Sequence, residues 1–197
     1  MKTIPVNLVM ALPAEAKPVA RHFGLQRDSR ATGFPLYRNG SMALAVSGPG
    51  QAAAQQATEW LGTRERNEAI WINLGIAGHP TRPVGQAVLA ALVEDGMTGE
   101  QWHTAPLPDP PCASDRVVTL NDPDLTYQRD ALVEMEAAGF FRAASGLAAP
   151  DRIYCLKIVS DNRQQPAHGI NGQQVSRLLE TGMATFESLL QQVRSNP

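Results

Sequence analysis

The sequence has few cysteines and almost no excess of charge of either sign. Its 197 residues include two cysteines, and 17 Lys+Arg against 19 Asp+Glu give a formal net charge of −2. Cys112 and Cys155 lie far apart and lack CxxC spacing, which favours two unpaired thiols in a reducing compartment. Charged residues make up 18% and hydrophobic residues 43% of the chain, which excludes a disordered protein. A chain without a basic excess is also not expected to bind nucleic acid.

Long apolar runs and metal-ligand patterns are missing as well. No apolar stretch reaches about 18 residues, so we expect no membrane span. The histidines and cysteines show no HExxH or similar spacing, so we expect no metal and no cofactor. The apolar run 4–11 and the small-residue segment 14–16 resemble a signal peptide, but Pro5 and Asn7 interrupt the run. We therefore expect a mature N-terminus and a cytoplasmic protein.

Short apolar runs of β character alternate with helical patterns along the chain. Predicted strands cover 4–12, 34–38, 42–47, 70–74, 84–94, 117–120 and 153–160, and predicted helices include 14–23, 130–146 and 175–193. This alternation predicts an α/β fold with three αβα layers and a central mixed, mostly parallel sheet. The sheet is expected to be mixed because Asn39-Gly40 predicts an antiparallel hairpin. The length and the lack of a linker predict one domain over residues 1–197.

Chemistry-bearing residues follow several of these strands, where ligands of α/β folds bind. Glu15 is typical of a solvated first-turn carboxylate, but a carboxylate held there could also act as a general base. The segments 47–50 and 75–78 are each consistent with a tight turn or with a backbone cradle for phosphate. Asp161 could cap the next turn or, if partly desolvated, donate a proton. Glu136 is predicted on the apolar side of its helix, where a carboxylate needs a partner.

The order of these segments resembles the nucleoside phosphorylase and nucleosidase superfamily. The resemblance rests on Glu15, SGPG at 47–50, NLGIAG at 73–78, VEMEA at 133–137 and VSDN at 159–162. This superfamily includes purine nucleoside phosphorylase, uridine phosphorylase and methylthioadenosine/S-adenosylhomocysteine nucleosidase. The stretch SDNRQQPAH at 160–168, followed by a terminal helix, is most similar to the nucleosidase branch.

The resemblance implies a role for each matching residue. Asp161 matches the acid that protonates N7 of the leaving purine, and Glu15 matches the carboxylate that orients the attacking water. Glu136 matches the glutamate that binds the ribose hydroxyls, and Met135 the methionine packed against the sugar. Lys157 stands in the catalytic set where the nucleosidases have an arginine. The remaining residues implied in substrate binding are Glu134, Ser47, Gly48, Gly75, Ile76, Ala77 and Gly78.

The sequence also departs from the superfamily pattern. Ile76 replaces a hydroxyl residue, and the strand at 71–74 lacks the arginine of the phosphorylases, which favours water over phosphate as the nucleophile. The segment between Ala90 and Val133 is shorter than in relatives and lacks their base-binding strand end. Asn121, Asp122 and Tyr127 remain open as replacements.

The resemblance therefore implies a hydrolase of the N-glycosidic bond of a purine nucleoside or its 5′-thio derivative. Two alternatives stay open: a phosphorylase that uses inorganic phosphate, and a nucleoside-binding homologue without activity. The expected partner is a small-molecule nucleoside, with no nucleic acid and no membrane. The resemblance also implies a homodimer or higher homo-oligomer, for which we expect exposed apolar area near the first two strand–helix units.

Overall fold

One ten-stranded sheet organises the chain, and the computed structural model describes residues 4–65, 68–167 and 170–195 of it. The strands are β1 (Val6–Met10), β2 (Gln26–Arg27), β3 (Leu36–Arg38), β4 (Met42–Val46), β5 (Ile70–Gly78), β6 (Ala87–Asp95), β7 (Gln101–His103), β8 (Ala113–Thr119), β9 (Leu132–Glu134) and β10 (Ile153–Asp161). The α-helices are α1 (Pro13–His22), α2 (Gln51–Gly62), α3 (Ala137–Ala144), α4 (Gly172–Thr181) and α5 (Met183–Ser195).

The sheet is mixed, as the sequence predicts. Its strand order is β10-β6-β8-β9-β5-β1-β4-β3-β2, with β7 against β6 and a further pairing of β10 with β5 that closes a ring of strands. Within the described ranges, β1–β4, β1–β5, β10–β5, β6–β8 and β8–β9 are parallel and the other five pairings are antiparallel. The longest pairings, β10–β5 and β6–β8, are parallel, so the predicted mixed, mostly parallel sheet is confirmed. Strands β7 and β9 each add a short antiparallel pairing that the sequence does not reveal.

Helices cover both faces of the sheet. Leu8 of β1 packs in the core beneath α1, α4 and α5, whereas its neighbour Val9 packs in the core beneath α2 and α3. Successive side chains of a strand point to opposite faces, so both sides of an apolar strand are buried. None of the helices in the described part of the chain is long and apolar enough to span a bilayer.

The predicted helix over 130–146 is wrong in its first half. Leu132–Glu134 forms β9 between β5 and β8, and the helix begins only at Ala137. The carboxylate of Glu134 accepts the N–H groups of Glu136 and Ala137, which satisfies the first donors of α3 and fixes its start. Glu136 is consequently the residue that precedes the helix, not a residue on its apolar side.

Three other predicted boundaries differ from the structure. Strand β5 continues through Gly78, so the segment 75–78 is not a turn. Strand β8 begins at Ala113, ahead of the predicted strand over 117–120. The predicted terminal helix over 175–193 is two helices that meet at Gly182, where a Cβ atom would lie 2.2 Å from Ile158. This break lets the chain pass close to β10.

Candidate functional site

A cavity of about 200 Å³ opens beyond the carboxyl ends of β1, β4, β5 and β10. This is the edge at which ligands bind in open α/β sheets. Its lining comprises Ala11, Leu12, Glu15, Pro49, Ile76, Ala77, Gly78, Pro123, Asp124, Leu125, Val133, Glu134, Met135, Glu136, Ser160, Asp161 and Ala167.

The cavity brings together most of the residues singled out in the sequence. Those that line it are Glu15, Ile76, Ala77, Gly78, Glu134, Met135, Glu136 and Asp161. Four others lie outside the lining: Ser47, Gly48, Gly75 and Lys157. The carboxylates that follow separate strand ends thus line one cavity, although they are far apart in the sequence.

Glu15 is held at the cavity by backbone donors. It follows β1 and is 2% exposed. Its Oε2 accepts the N–H of Leu12 at 2.9 Å, and its Oε1 accepts the N–H of Ile76 at 3.0 Å. Burial raises the pKa of Glu15, although these two donors and the nearby Lys157 ammonium oppose the rise. Glu15 is therefore a fixed carboxylate whose affinity for a proton is higher than usual, as a general base requires.

Glu136 accepts a hydrogen bond from the residue that precedes α2. Its Oε1 accepts the N–H of Gly50 at 2.9 Å, and Gly50 has φ +98°, a conformation that favours glycine. This N–H of the 47–50 segment is therefore bound to a carboxylate of the protein itself. Burial, reinforced by the neighbouring Glu134, raises the pKa of Glu136 to about 7.

Glu134 and Lys157 form a buried ion pair beside the cavity. The Lys157 ammonium lies 2.7 Å from Glu134 Oε2, and the side chains are 1% and 2% exposed. Glu134 also accepts the hydroxyl of Thr119 at 2.5 Å. Burial alone would lower the pKa of Lys157, but the nearby acidic groups, Glu134 foremost and Glu136 with it, together outweigh burial and raise that pKa above its ordinary value. Lys157 does not line the cavity because its charge is directed at Glu134.

Two glycines of β5 allow carboxylates to lie against the strand. A Cβ atom on Gly75 would be 2.9 Å from Glu15 Oε1, and one on Gly78 would be 2.7 Å from Asp161 Oδ2. Both glycines lack the positive φ that a turn would use, since they lie within β5. Their function is to leave space for side chains, not to bend the chain.

Asp161 ends β10 with both carboxylate oxygens hydrogen-bonded. Oδ1 accepts the hydroxyl of Ser160, and Oδ2 accepts the hydroxyl of Tyr127 at 2.7 Å. The Asp161 side chain still lines the cavity.

Of the three residues left open in the shortened segment, Asn121 and Asp122 are exposed and do not line the cavity, whereas Tyr127 is buried and binds Asp161.

Sequence reasoning missed the residues that close the opposite side of the cavity. Pro123, Asp124 and Leu125 line it from the loop between β8 and β9, and Ala167 lines it from the loop after β10. Loop composition alone carries no signal for such contacts.

Within the described ranges, no group of three or more His, Cys, Asp or Glu side chains is arranged to hold a metal ion.

Comparisons with known proteins identify similar folds. No protein-family model and no curated protein sequence matches the chain. The solved structure of 5′-methylthioadenosine nucleosidase from Arabidopsis thaliana matches with a TM-score of 0.78 and 18% identity, over 96% of this chain and 97% of that one. A mutant nucleosidase from Helicobacter pylori with 5′-methylthioadenosine in its active site matches with a TM-score of 0.76 and 12% identity, over 97% and 99%.

A third structure agrees with these two. The methylthioadenosine/S-adenosylhomocysteine nucleosidase of S. pneumoniae, bound to a transition-state inhibitor, matches with a TM-score of 0.75 and 15% identity, over 96% of this chain and 100% of that one. The chain therefore has the α/β fold of the nucleosidases, the branch that its sequence resembles.

Proposed function

We propose that the protein hydrolyses the N-glycosidic bond of a purine nucleoside or of its 5′-thio derivative. The observation that carries the proposal is the convergence of Glu15, Glu136 and Asp161 on one cavity of a nucleosidase-like fold. The similar structures that hold 5′-methylthioadenosine or a transition-state inhibitor support this substrate class.

Glu136 and Met135 would hold the sugar. The ionised Glu136 accepts hydrogen bonds from the two ribose hydroxyls, and the thioether of Met135 packs against the ring. Two charge-assisted hydrogen bonds fix the orientation of the ring relative to the reacting groups.

The bond cleavage would be divided between Glu15 and Asp161. Glu15 accepts a proton from a water molecule whose oxygen bonds to C1′ of the ribose. The C1′–N9 bond breaks with its electron pair going to the base, and Asp161 donates a proton to N7 of that base. The surrounding carboxylates stabilise the positive charge that develops on the sugar in the transition state.

Lys157 would act through Glu134 and not by contact with substrate. Its ammonium is the counter-charge to Glu134, and it also opposes the rise of the pKa values of Glu15 and Glu136. We therefore assign to Lys157 a positioning and electrostatic role within the site.

Water is favoured over phosphate as the nucleophile. Within the described ranges, the lining of the cavity contains no lysine, arginine or histidine, and Ile76 presents an apolar side chain there. The Gly50 N–H, which could bind an anion at the start of α2, is already bound to Glu136. A phosphate dianion would thus meet carboxylates where a phosphorylase needs cationic donors.

We also propose a single cytoplasmic domain that assembles as a homodimer. The large apolar side chains that the described structure exposes are Met97 and Leu125, at 65% and 47%. Neither lies in the first two strand–helix units, but Leu125 borders the cavity, where a second copy could cover it. Light scattering coupled to size-exclusion chromatography measures the assembly.

The decisive experiment is an assay for free base released from methylthioadenosine, S-adenosylhomocysteine and inosine. We expect release without phosphate and no ribose-1-phosphate when phosphate is added. The Asp161→Asn variant should lose about 10²- to 10⁴-fold in kcat, because it cannot protonate the leaving base.

Three outcomes would contradict the proposal. Retained activity in Asp161→Asn would refute the acid, and strict dependence on phosphate would establish the phosphorylase alternative. A nucleoside that raises the melting temperature of the wild-type protein without being cleaved would establish the inactive binding homologue.

A further inference from the structure

Tyr127 is a buried aromatic residue in the shortened segment that the proposed reaction does not yet use. It lies in the loop between β8 and β9 with φ +52°, a backbone conformation that side-chain-bearing residues rarely adopt. The residue is 7% exposed, and it does not line the cavity. A strained, buried tyrosine of this kind is retained only where its surroundings fix it.

The hydroxyl of Tyr127 connects Asp161 to the loop after β10. The hydroxyl donates to Asp161 Oδ2 at 2.7 Å and accepts the N–H of Ala167 at 3.0 Å. The main-chain carbonyl of Tyr127 accepts a hydrogen bond from Arg163 at 2.6 Å, which holds the strained residue in place. Both loops that close the cavity, through Leu125 and through Ala167, are therefore tied to the carboxylate at the end of β10.

We propose that Tyr127 is a positioning residue for the proposed hydrolysis, and that it acts by stabilising the negative charge that forms on Asp161 as the base is protonated. The inference rests on the proposed function, because it assumes that Asp161 is the acid. When the proton moves from Asp161 to the purine, the carboxyl group becomes a carboxylate, and a hydroxyl donor already fixed 2.7 Å from Oδ2 stabilises it without reorganisation.

The protonation state of Tyr127 suits this role. Burial raises the pKa of its phenol, so the hydroxyl keeps its proton at neutral pH and remains a donor. In the proposed reaction the charge on Asp161 forms as the proton leaves, so the stabilisation is larger in the transition state than in the substrate complex. Such an interaction changes kcat, while a residue that does not contact substrate leaves KM nearly unchanged.

The test compares Tyr127→Phe with the wild-type protein on whichever nucleoside the wild type cleaves. We expect kcat to fall by about 10- to 100-fold, the effect of losing one hydrogen bond to a charged group, with KM within about threefold. The matched control is Tyr37→Phe, which removes the hydroxyl of a half-buried tyrosine on β3 and should leave both constants unchanged.

A second variant tests the same idea without touching the hydroxyl. Arg163→Met removes the donor to the Tyr127 carbonyl, and we expect a smaller loss of kcat, about threefold to tenfold, again with KM preserved. Melting temperatures of all variants are measured in parallel, and those of the active variants should stay close to that of the wild type.

The result that overturns the inference is a Tyr127→Phe variant with wild-type kcat, or one whose loss appears as a raised KM. Failure of Tyr127→Phe to fold, together with an unchanged kcat in Arg163→Met, would likewise assign Tyr127 a purely structural role. Loss of activity in Asp161→Asn with full activity in Tyr127→Phe would keep the proposed function and refute only the positioning role.

Discussion

The cavity has two unlike walls. The strand-end wall lies at the ends of strands or directly after them and consists of Ala11, Leu12, Glu15, Pro49, Ile76–Gly78, Val133–Glu136, Ser160 and Asp161. The loop wall consists of Pro123–Leu125 and Ala167, carried by the two loops that follow β8 and β10.

The walls differ in how their side chains are held. On the strand-end wall each carboxylate accepts hydrogen bonds from backbone N–H groups or buried side chains of other elements. On the loop wall, among the described residues, Asp124 accepts hydrogen bonds only from Thr126, two residues away, and its other partner is Arg129 at 3.9 Å; Leu125 is about half exposed. We infer that the strand-end wall carries the chemistry and that the loop wall adjusts which nucleoside is bound.

The largest expected effect is a loss of stability in Lys157→Met, which removes the counter-charge of Glu134 beside the strand-end wall. An uncompensated carboxylate that is 2% exposed should lower the free energy of unfolding by about 3–5 kcal/mol. Urea denaturation followed by circular dichroism measures this. The matched control is Lys17→Met on the exposed side of α1, which should change stability by less than about 0.5 kcal/mol.

A double variant sharpens the same prediction. Adding Glu134→Gln to Lys157→Met removes both charges, so part of the lost stability should return. If the double variant is no more stable than Lys157→Met alone, the unpaired charge is not the cause of the loss.

An intermediate effect is expected on kcat/KM when the pH changes, because Glu136 of the same wall changes its ionisation. Its pKa is raised to about 7, and in the proposed reaction it must be ionised to accept the two ribose hydroxyls. Below pH 7 the value of kcat/KM should therefore rise with pH, by at most about tenfold per pH unit. Above about pH 7 this rise should level off. Unfolding measured at the same pH values separates this effect from loss of structure. A flat profile between pH 5.5 and 7 would contradict it.

The smallest effect is expected on the loop wall. Leu125→Ala removes a side chain that is 47% exposed, so we expect kcat within about twofold and a rise of KM of about threefold or less. Met97→Ala, which shortens the other exposed large apolar side chain, is the control and should leave KM unchanged. A large loss of kcat in Leu125→Ala would show that the loop wall takes part in the chemistry, and our division of the cavity would fail.

Much of the strand-end wall could be predicted from the sequence because it depends on local patterns. The apolar run of β1 places Glu15 at a strand end, and the run of β10 does the same for Asp161. The predicted helix over 130–146 is wrong in its first part: the spacing of its apolar residues fits a helix, but pairing of Val133 with Gly78 and Val118 draws this part into the sheet. Strand pairing is a tertiary contact that overrides local preference.

The loop wall could not be predicted from the sequence in the same way. Tyr127, in the same loop as Leu125, is one of three residues that the sequence leaves open, and nothing in its sequence neighbours indicates that its hydroxyl reaches Asp161. That contact joins residues 34 positions apart and depends on a backbone conformation that only the surrounding loops can hold.

The sequence by itself determined which residue types stand at the strand ends and which strands are continuous apolar runs, because local composition and turn chemistry fix both. The tertiary structure decided their partners: Lys157 faces Glu134 and not the cavity, Gly75 and Gly78 make room for carboxylates, and Tyr127 binds Asp161. The physical reason is that burial makes every charge and hydrogen-bonding group depend on what packs against it, and that packing joins segments far apart in the chain.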